Sequence, residues 1–108
     1  MELYIKDRLY FPQILPQKGS FLEFNMKKEI LNRILITDEE KEKFNIQENA
    51  ESNTLTWDAK LDKENPITVD FSKQELEYIT KGIESISSSA YPDDFWAFVE
   101  KVYNAINA

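Results

Sequence analysis

Three acidic side chains in the middle of the chain are the best candidates for binding a metal ion. Asp58, Asp62 and Glu64 fall within one polar stretch, and carboxylate oxygens are the ligands that hard cations such as calcium prefer. Their spacing does not match the calcium-binding loop of an EF-hand. We therefore interpret the stretch as a solvated connection, and we expect no metal and no other cofactor.

The residue types that perform most enzyme chemistry are missing from the sequence. The 108 residues include no histidine and no cysteine, which removes the commonest general base, the thiol nucleophile and every disulfide. Two glycines are too few for a glycine-rich nucleotide-binding motif. A glycosidase-like pair of carboxylates stays open, but such a pair needs a deep cleft. We expect no enzyme and no catalytic residues.

Other polar segments have both a structural and a functional interpretation. Residues 17–20 (QKGS) could form a phosphate loop, but one lysine and one glycine are more typical of a turn. The serines at 87–89 could be phosphorylated, although a serine run after a helix is more typical of a flexible joint. The acidic runs 38–40 and 93–94 fit helix N-termini, where negative charge is favourable.

The charge of the chain limits the kinds of partner it can bind. Twenty acidic and thirteen basic residues give a net charge of −7. Because such a surface repels phosphate groups, we expect neither direct nucleic-acid binding nor membrane association. The same charge permits an acidic inhibitor that imitates nucleic acid and occupies a basic groove of a host defence or DNA-handling protein.

The first third of the chain changes from a strand-like to a helical pattern. Residues 2–11 alternate apolar and polar side chains and predict a strand. Prolines predict an irregular connection over 12–20. A period of 3.6 residues then predicts a helix over 25–35, with Asn25 as its N-cap.

Two capping boxes mark the start of further helices. Thr37 and Ser72 are each followed three residues later by glutamate, which predicts helices over 38–44 and 72–86. Gly82 either weakens the second of these helices or lets a neighbouring element approach closely.

The remaining elements are short strands. Residues 54–57 and 67–71 are rich in β-branched and aromatic side chains and predict strands, with a third near Ile46. The polar stretches 48–53 and 58–66 are expected to join them, so the strands pair antiparallel. Together the elements predict one globular domain, 1–108, of the α+β class, with a small antiparallel sheet packed against about three main helices.

The last helix, which opens at Pro92, carries more apolar side chains than one core face needs. Phe95 begins the stripe expected to face the core, and Trp96 and Tyr103 lie beside it, seven residues apart. Since tryptophan and tyrosine are enriched at interface hot spots, Trp96, Tyr103 and Phe95 are the candidate interface residues of a homodimer or a protein complex. The alternative is that all these rings belong to the core.

Several stretches resemble small uncharacterised proteins of bacteriophages and prophages. They are RLYFPQILPQKGSFLEFNMKKEILNRI, ITDEEKEKFNI, LTWDAK and VDFSKQELEYITKGI. Those proteins share the order of a proline-broken opening, a capped acidic segment, a short tryptophan strand and a helix that begins F-[ST]-x-x-E. The resemblance brings no catalytic residues, and it implies a phage-type protein in the cytoplasm of a bacterial host.

The preferred functional hypothesis is a non-enzymatic phage or prophage accessory protein that acts by binding a protein partner or itself. The acidic nucleic-acid mimic is the alternative.

Overall fold

The computed structural model describes residues 1–108 and contains both helices and short strands. The helices are α1 (Ile5–Ile14), α2 (Phe21–Ile34), α3 (Asp38–Lys43), α4 (Ala59–Glu64), α5 (Lys73–Ile86) and α6 (Asp93–Ile106). The strands are β1 (Glu2–Leu3), β2 (Gln47–Asn49), β3 (Thr54–Thr56) and β4 (Ile67–Thr68). The predicted α+β class is confirmed, with more helices than the three expected. No helix combines the length and the apolar character needed to cross a bilayer.

The strands form two separate antiparallel pairs, where the sequence predicted one sheet. β1 pairs with β4, with Leu3 opposite Ile67, and β2 pairs with β3, with Glu48 opposite Leu55. The two predicted strands β3 and β4 do not pair with each other: α4 lies between them in the chain, and their partners are β2 and β1. The side chain of Asp58 starts this short helix by accepting backbone hydrogen bonds. The sequence predicted a connection here because the stretch 58–66 is polar.

The N-terminal segment is the largest departure from prediction, since the strand expected over 2–11 ends after Leu3 and α1 follows. The buried side chains of α1 are three residues apart, which is the spacing of one helix face; they are Ile5, Arg8, Phe11 and Ile14. The strand prediction counted Arg8 as an outward polar residue, whereas the structure buries it. Pro12 lies in the last turn of α1, where its missing N–H removes a single helical hydrogen bond.

α2 begins at Phe21, four residues before the predicted start. Its N-cap is Ser20, whose Oγ accepts a hydrogen bond from the amide of Glu23 at 3.2 Å, while Glu23 Oε1 accepts one from the amide of Ser20 at 3.0 Å. This is a capping box with the same spacing as the two that were predicted. The earlier start places Phe21 and Phe24 on the helix.

The two predicted capping boxes are confirmed. Thr37 Oγ1 accepts a hydrogen bond from the amide of Glu40 at 3.2 Å, and Ser72 Oγ accepts one from the amide of Glu75 at 3.1 Å. They begin α3 and α5 where the sequence placed them.

A buried arginine joins α1 to the connection between α2 and α3. The two terminal nitrogens of Arg8 donate to the carboxylate of Glu40 at 2.6 and 2.8 Å. Arg8 also donates to the carbonyl oxygens of Ile34 and Leu35, at 2.9 and 2.6 Å. The guanidinium lowers the pKa of Glu40 to about 2, so the pair is charged at neutral pH. Because paired donors and acceptors offset the cost of burial, this contact anchors α3 to the core.

The hydrophobic core lies among α1, α2, α5 and α6. Phe11 is fully buried near its centre, and its ring centroid lies 5.8 Å from those of both Phe71 and Phe98. α5 passes so close to the end of α1 that a Cβ atom on Gly82 would lie 1.9 Å from the carbonyl oxygen of Ile14. Gly82 therefore permits the close approach that the sequence offered as one of two interpretations.

Candidate partner-binding surface

The three acidic residues considered as metal ligands do not act together in the structure. Asp58 caps α4, and Asp62 Oδ1 accepts a hydrogen bond from the amide of Ile5 at 3.0 Å. Glu64 is exposed. Nowhere do three acidic side chains come close enough together to bind a metal ion.

At the turn 17–20, the carboxylate of Glu23 accepts the backbone hydrogen bond that a phosphate would otherwise accept. Glu23 accepts the amide of Ser20 at the start of α2, and it forms an ion pair with Lys81 at 3.1 Å. These contacts lower the pKa of Glu23, with the backbone hydrogen bond from Ser20 as the main cause. The N-terminal end of α2 is therefore already neutralised by the chain's own side chain.

The three candidate interface residues on α6 differ in how accessible they are. Phe95 is 2% exposed and lies in the core, with its ring centroid 4.4 Å from that of Tyr91. Trp96 is partly buried, packs against the core cluster and meets Tyr91 edge to face at 5.5 Å. Tyr103 is 46% exposed. Of the three, only Tyr103 presents much of its ring to a partner, and the interface role of α6 stays a prediction.

The most exposed large apolar side chains lie on and beside α2. Phe21 is 80% exposed, Leu22 is 69% exposed, Phe24 is 53% exposed, and Leu35, the residue after the helix, is 62% exposed. The rings of Phe21 and Phe24 stack on each other with centroids 6.5 Å apart. Sequence reasoning missed the two phenylalanines because it began the helix at 25, and it placed Leu35 on the apolar face of that helix, whereas the structure exposes it.

α2 therefore has two apolar stripes rather than one. The inner stripe faces the core and includes the buried residues Ile30 and Ile34. A second stripe has steps of three and four residues, which is the spacing of a coiled-coil seam. We call this set the outward stripe; it comprises Phe21, Phe24, Lys28, Leu31 and Leu35. An isolated core would need only the inner stripe.

A large apolar hollow adjoins the C-terminal half of the outward stripe. It encloses about 820 Å³ between α1, the end of α2 and the β2–β3 hairpin. We call it the apolar groove, and its hydrophobic lining includes Leu9, Pro12, Leu31, Leu35, Ile46 and Leu55. The hairpin forms one wall, and every residue of β2 and β3 is exposed.

A smaller hollow of about 430 Å³ adjoins the N-terminal half of the outward stripe. We call it the lysine hollow because Lys18, Lys27 and Lys28 line it and no carboxylate does. Lys27 donates to the carbonyl oxygen of Pro16 at 3.1 Å, and the ammonium of Lys28 lies 5.3 Å from the ring centroid of Phe24. Leu31 lines both hollows, so they form one continuous surface along α2.

Comparisons with family models, curated proteins and solved structures give no match for this chain.

Proposed function

We propose that this protein acts by binding another protein, and that the outward stripe, with the two hollows beside it, is the surface that binds. The observation that carries the proposal is the exposure of the stacked pair Phe21 and Phe24 together with Leu35. Large apolar side chains that are grouped on one surface mark interaction sites, because their burial against a partner is favourable.

The charges beside this surface indicate the chemistry of the partner. The lysine hollow presents three ammonium groups with no carboxylate among its lining residues, although the whole chain has a net charge of −7. Glu23, which forms an ion pair with Lys81, lies beside the hollow but does not line it. A partner segment with apolar side chains and at least one carboxylate complements both features of the surface.

A second copy of this chain is a poorer fit than a different protein. In an antiparallel two-fold pair, the first residue of the outward stripe meets the last residue of its copy. Lys28 is the middle one of the five residues of the outward stripe, so it would face Lys28 of the second copy. Like charges brought together at the centre of an interface are unfavourable, and two acidic molecules also repel each other over longer distances.

The binding proposal agrees with the preferred sequence hypothesis of a non-enzymatic, phage-type accessory protein but moves the binding surface from α6 to α2. The nucleic-acid mimic ranks second, because it would present a continuous acidic face, whereas the exposed group on and beside α2 is apolar and adjoins lysines.

Selection from a library of random peptides, each about 16 residues long, tests the proposal whatever the natural partner is. Enriched peptides are titrated by fluorescence anisotropy against the wild type and a variant with Phe24→Ser and Leu35→Ser. Tyr103→Ser is the matched control, since Tyr103 is a similarly exposed ring on α6. We expect the double substitution to weaken binding at least about tenfold and the control to leave binding unchanged.

Three results would contradict the proposal. The first is peptide binding that survives Phe24→Ser with Leu35→Ser. The second is a wild-type dimer in sedimentation that this double variant dissociates, which would assign the surface to a second copy. The third is tight binding to vesicles of phosphatidylcholine and phosphatidylserine with no peptide enriched, which would assign it to a lipid surface.

A further inference from the structure

We infer that the bound segment is an amphipathic α-helix with an acidic side chain opposite Lys28 and an apolar side chain seven residues away that enters the apolar groove. This inference rests on the proposed function and specifies the form of the partner.

The separation of the two hollows favours a helix over an extended strand. The lysine hollow includes Lys28, and the apolar groove reaches Leu35, seven residues later. At 1.5 Å per residue these positions lie about 10 Å apart along α2. On a partner helix two side chains seven residues apart span the same distance and lie on one face. On a strand the same distance corresponds to a step of about three residues, and side chains three residues apart point to opposite faces of the strand.

The packing surface of α2 also suits a helix. Its outward stripe has the three-and-four spacing into which the side chains of a nearly parallel or antiparallel helix interdigitate. Leu31 lies between the two hollows and is partly buried. A partner side chain over Leu31 therefore needs to be apolar. In the partner's sequence it lies three or four residues from the acidic side chain opposite Lys28 and from the apolar side chain that enters the apolar groove.

The charge of Lys28 sets the register of the helix. Lys28 forms no ion pair within the chain. Its ammonium lies over the face of the Phe24 ring. Burial of this ammonium under an apolar partner would cost free energy unless a carboxylate met it. One acidic position therefore selects a single alignment of the partner helix along α2, as a polar residue does at the seam of a coiled coil.

Three designed peptides test the inference directly. Each has about 18 residues on an alanine and glutamine background, with leucines at the two apolar positions. The first has glutamate at the position opposite Lys28, the second has lysine there, and the third carries glutamate but has a central proline that breaks the helix. Their affinities are measured by anisotropy against the wild type, Lys28→Glu and, as a matched control, Lys60→Glu, which changes an exposed lysine on α4.

We expect the glutamate peptide to bind the wild type about tenfold more tightly than the lysine peptide. Lys28→Glu should reverse this order, Lys60→Glu should preserve it, and the proline peptide should bind weakly. Circular dichroism should show that the glutamate peptide gains helix on binding.

The outcomes separate this inference from the proposed function. Equal affinities for the glutamate and lysine peptides, or an order that Lys28→Glu does not reverse, would overturn the acidic register. Equal or tighter binding of the proline peptide would overturn the helix, while peptide binding that depends on Phe24 would still support the proposed function. Loss of both kinds of binding would overturn both.

Discussion

Gly82 is the residue at which a single methyl group should have the largest structural effect. A Cβ atom there would lie 1.9 Å from the backbone oxygen of Ile14, so no side-chain rotation can relieve the clash. In an open helix position, alanine would be stabilising by about 1 kcal/mol relative to glycine. We expect Gly82→Ala to destabilise instead, by about 1–3 kcal/mol or more.

Urea unfolding measures this change. Gly19→Ala is the matched control, because its Cβ would meet side-chain atoms of Glu23 at 3.1 Å or more and no backbone atom. An unfolding midpoint for Gly82→Ala that equals or exceeds that of the wild type would show that α5 and α1 are farther apart than described.

The carboxylate of Glu40 should make the free energy of unfolding depend on pH in the acidic range. Its pKa falls from the ordinary 4.5 to about 2 in the folded state, because Arg8 donates two hydrogen bonds to it. The unfolded chain therefore binds more protons between these values, so this contribution is complete above about pH 5 and is lost as the pH falls toward 2.

We expect Glu40→Gln to lower stability at pH 7 and to flatten the decline of stability between pH 5 and pH 2. Glu39→Gln changes an exposed neighbour and should leave the slope of the wild type intact. Parallel pH profiles for Glu40→Gln and the wild type, measured by urea unfolding at each pH, would contradict the charged pair.

The helix caps are the elements that local sequence predicted best. Thr37 and Ser72 begin α3 and α5 as expected, because a capping box needs only residues three positions apart. Thr37→Ala and Ser72→Ala should each cost about 0.5–2 kcal/mol. Ser72→Ala should cost more, since α5 is longer and carries more of the core. An unchanged urea midpoint for Ser72→Ala would contradict this ranking.

Other elements could not be predicted because their sequence signals compete. Residues 2–11 satisfy both the alternation of a strand and the three-residue spacing of a helix face, and the two differ at Arg8, which the strand would expose and the helix buries. The ion pair between Arg8 and Glu40 joins positions 32 residues apart, so no local pattern reveals it. The outward stripe was within reach, since Ser20 and Glu23 form a capping box that moves the helix start to Phe21.

The two stripes of α2 should respond differently to substitution. Phe24 is half exposed, so Phe24→Ser should change the stability of the free protein by no more than about 0.5 kcal/mol. Ile30 is fully buried, so Ile30→Ala should cost about 2–5 kcal/mol. Thermal and urea unfolding of both variants measure this contrast. A large loss for Phe24→Ser would place that ring in the core and remove it from the binding surface.

In the whole molecule, the packed core and the exposed apolar residues lie on different faces of α2, and Leu31 belongs to the border between them. The core is complete without Phe21, Phe24 and Leu35, because the cluster of buried residues is formed by the inner stripe together with α1, α5 and α6. The chain therefore folds around one face of α2 and leaves Phe21, Phe24 and Leu35 exposed. The net charge of −7 keeps copies apart, while the lysine hollow is locally attractive to a carboxylate.

Chemical-shift mapping locates the bound segment on the protein. Amide resonances of the isotope-labelled wild type are followed by NMR during titration with the glutamate-bearing helical peptide. We expect the largest shifts within residues 21–35 and at Leu55, on the wall of the apolar groove, and small shifts around Tyr103. Shifts centred on Trp96 and Tyr103, with α2 unaffected, would rule out binding at α2 and return the binding surface to α6.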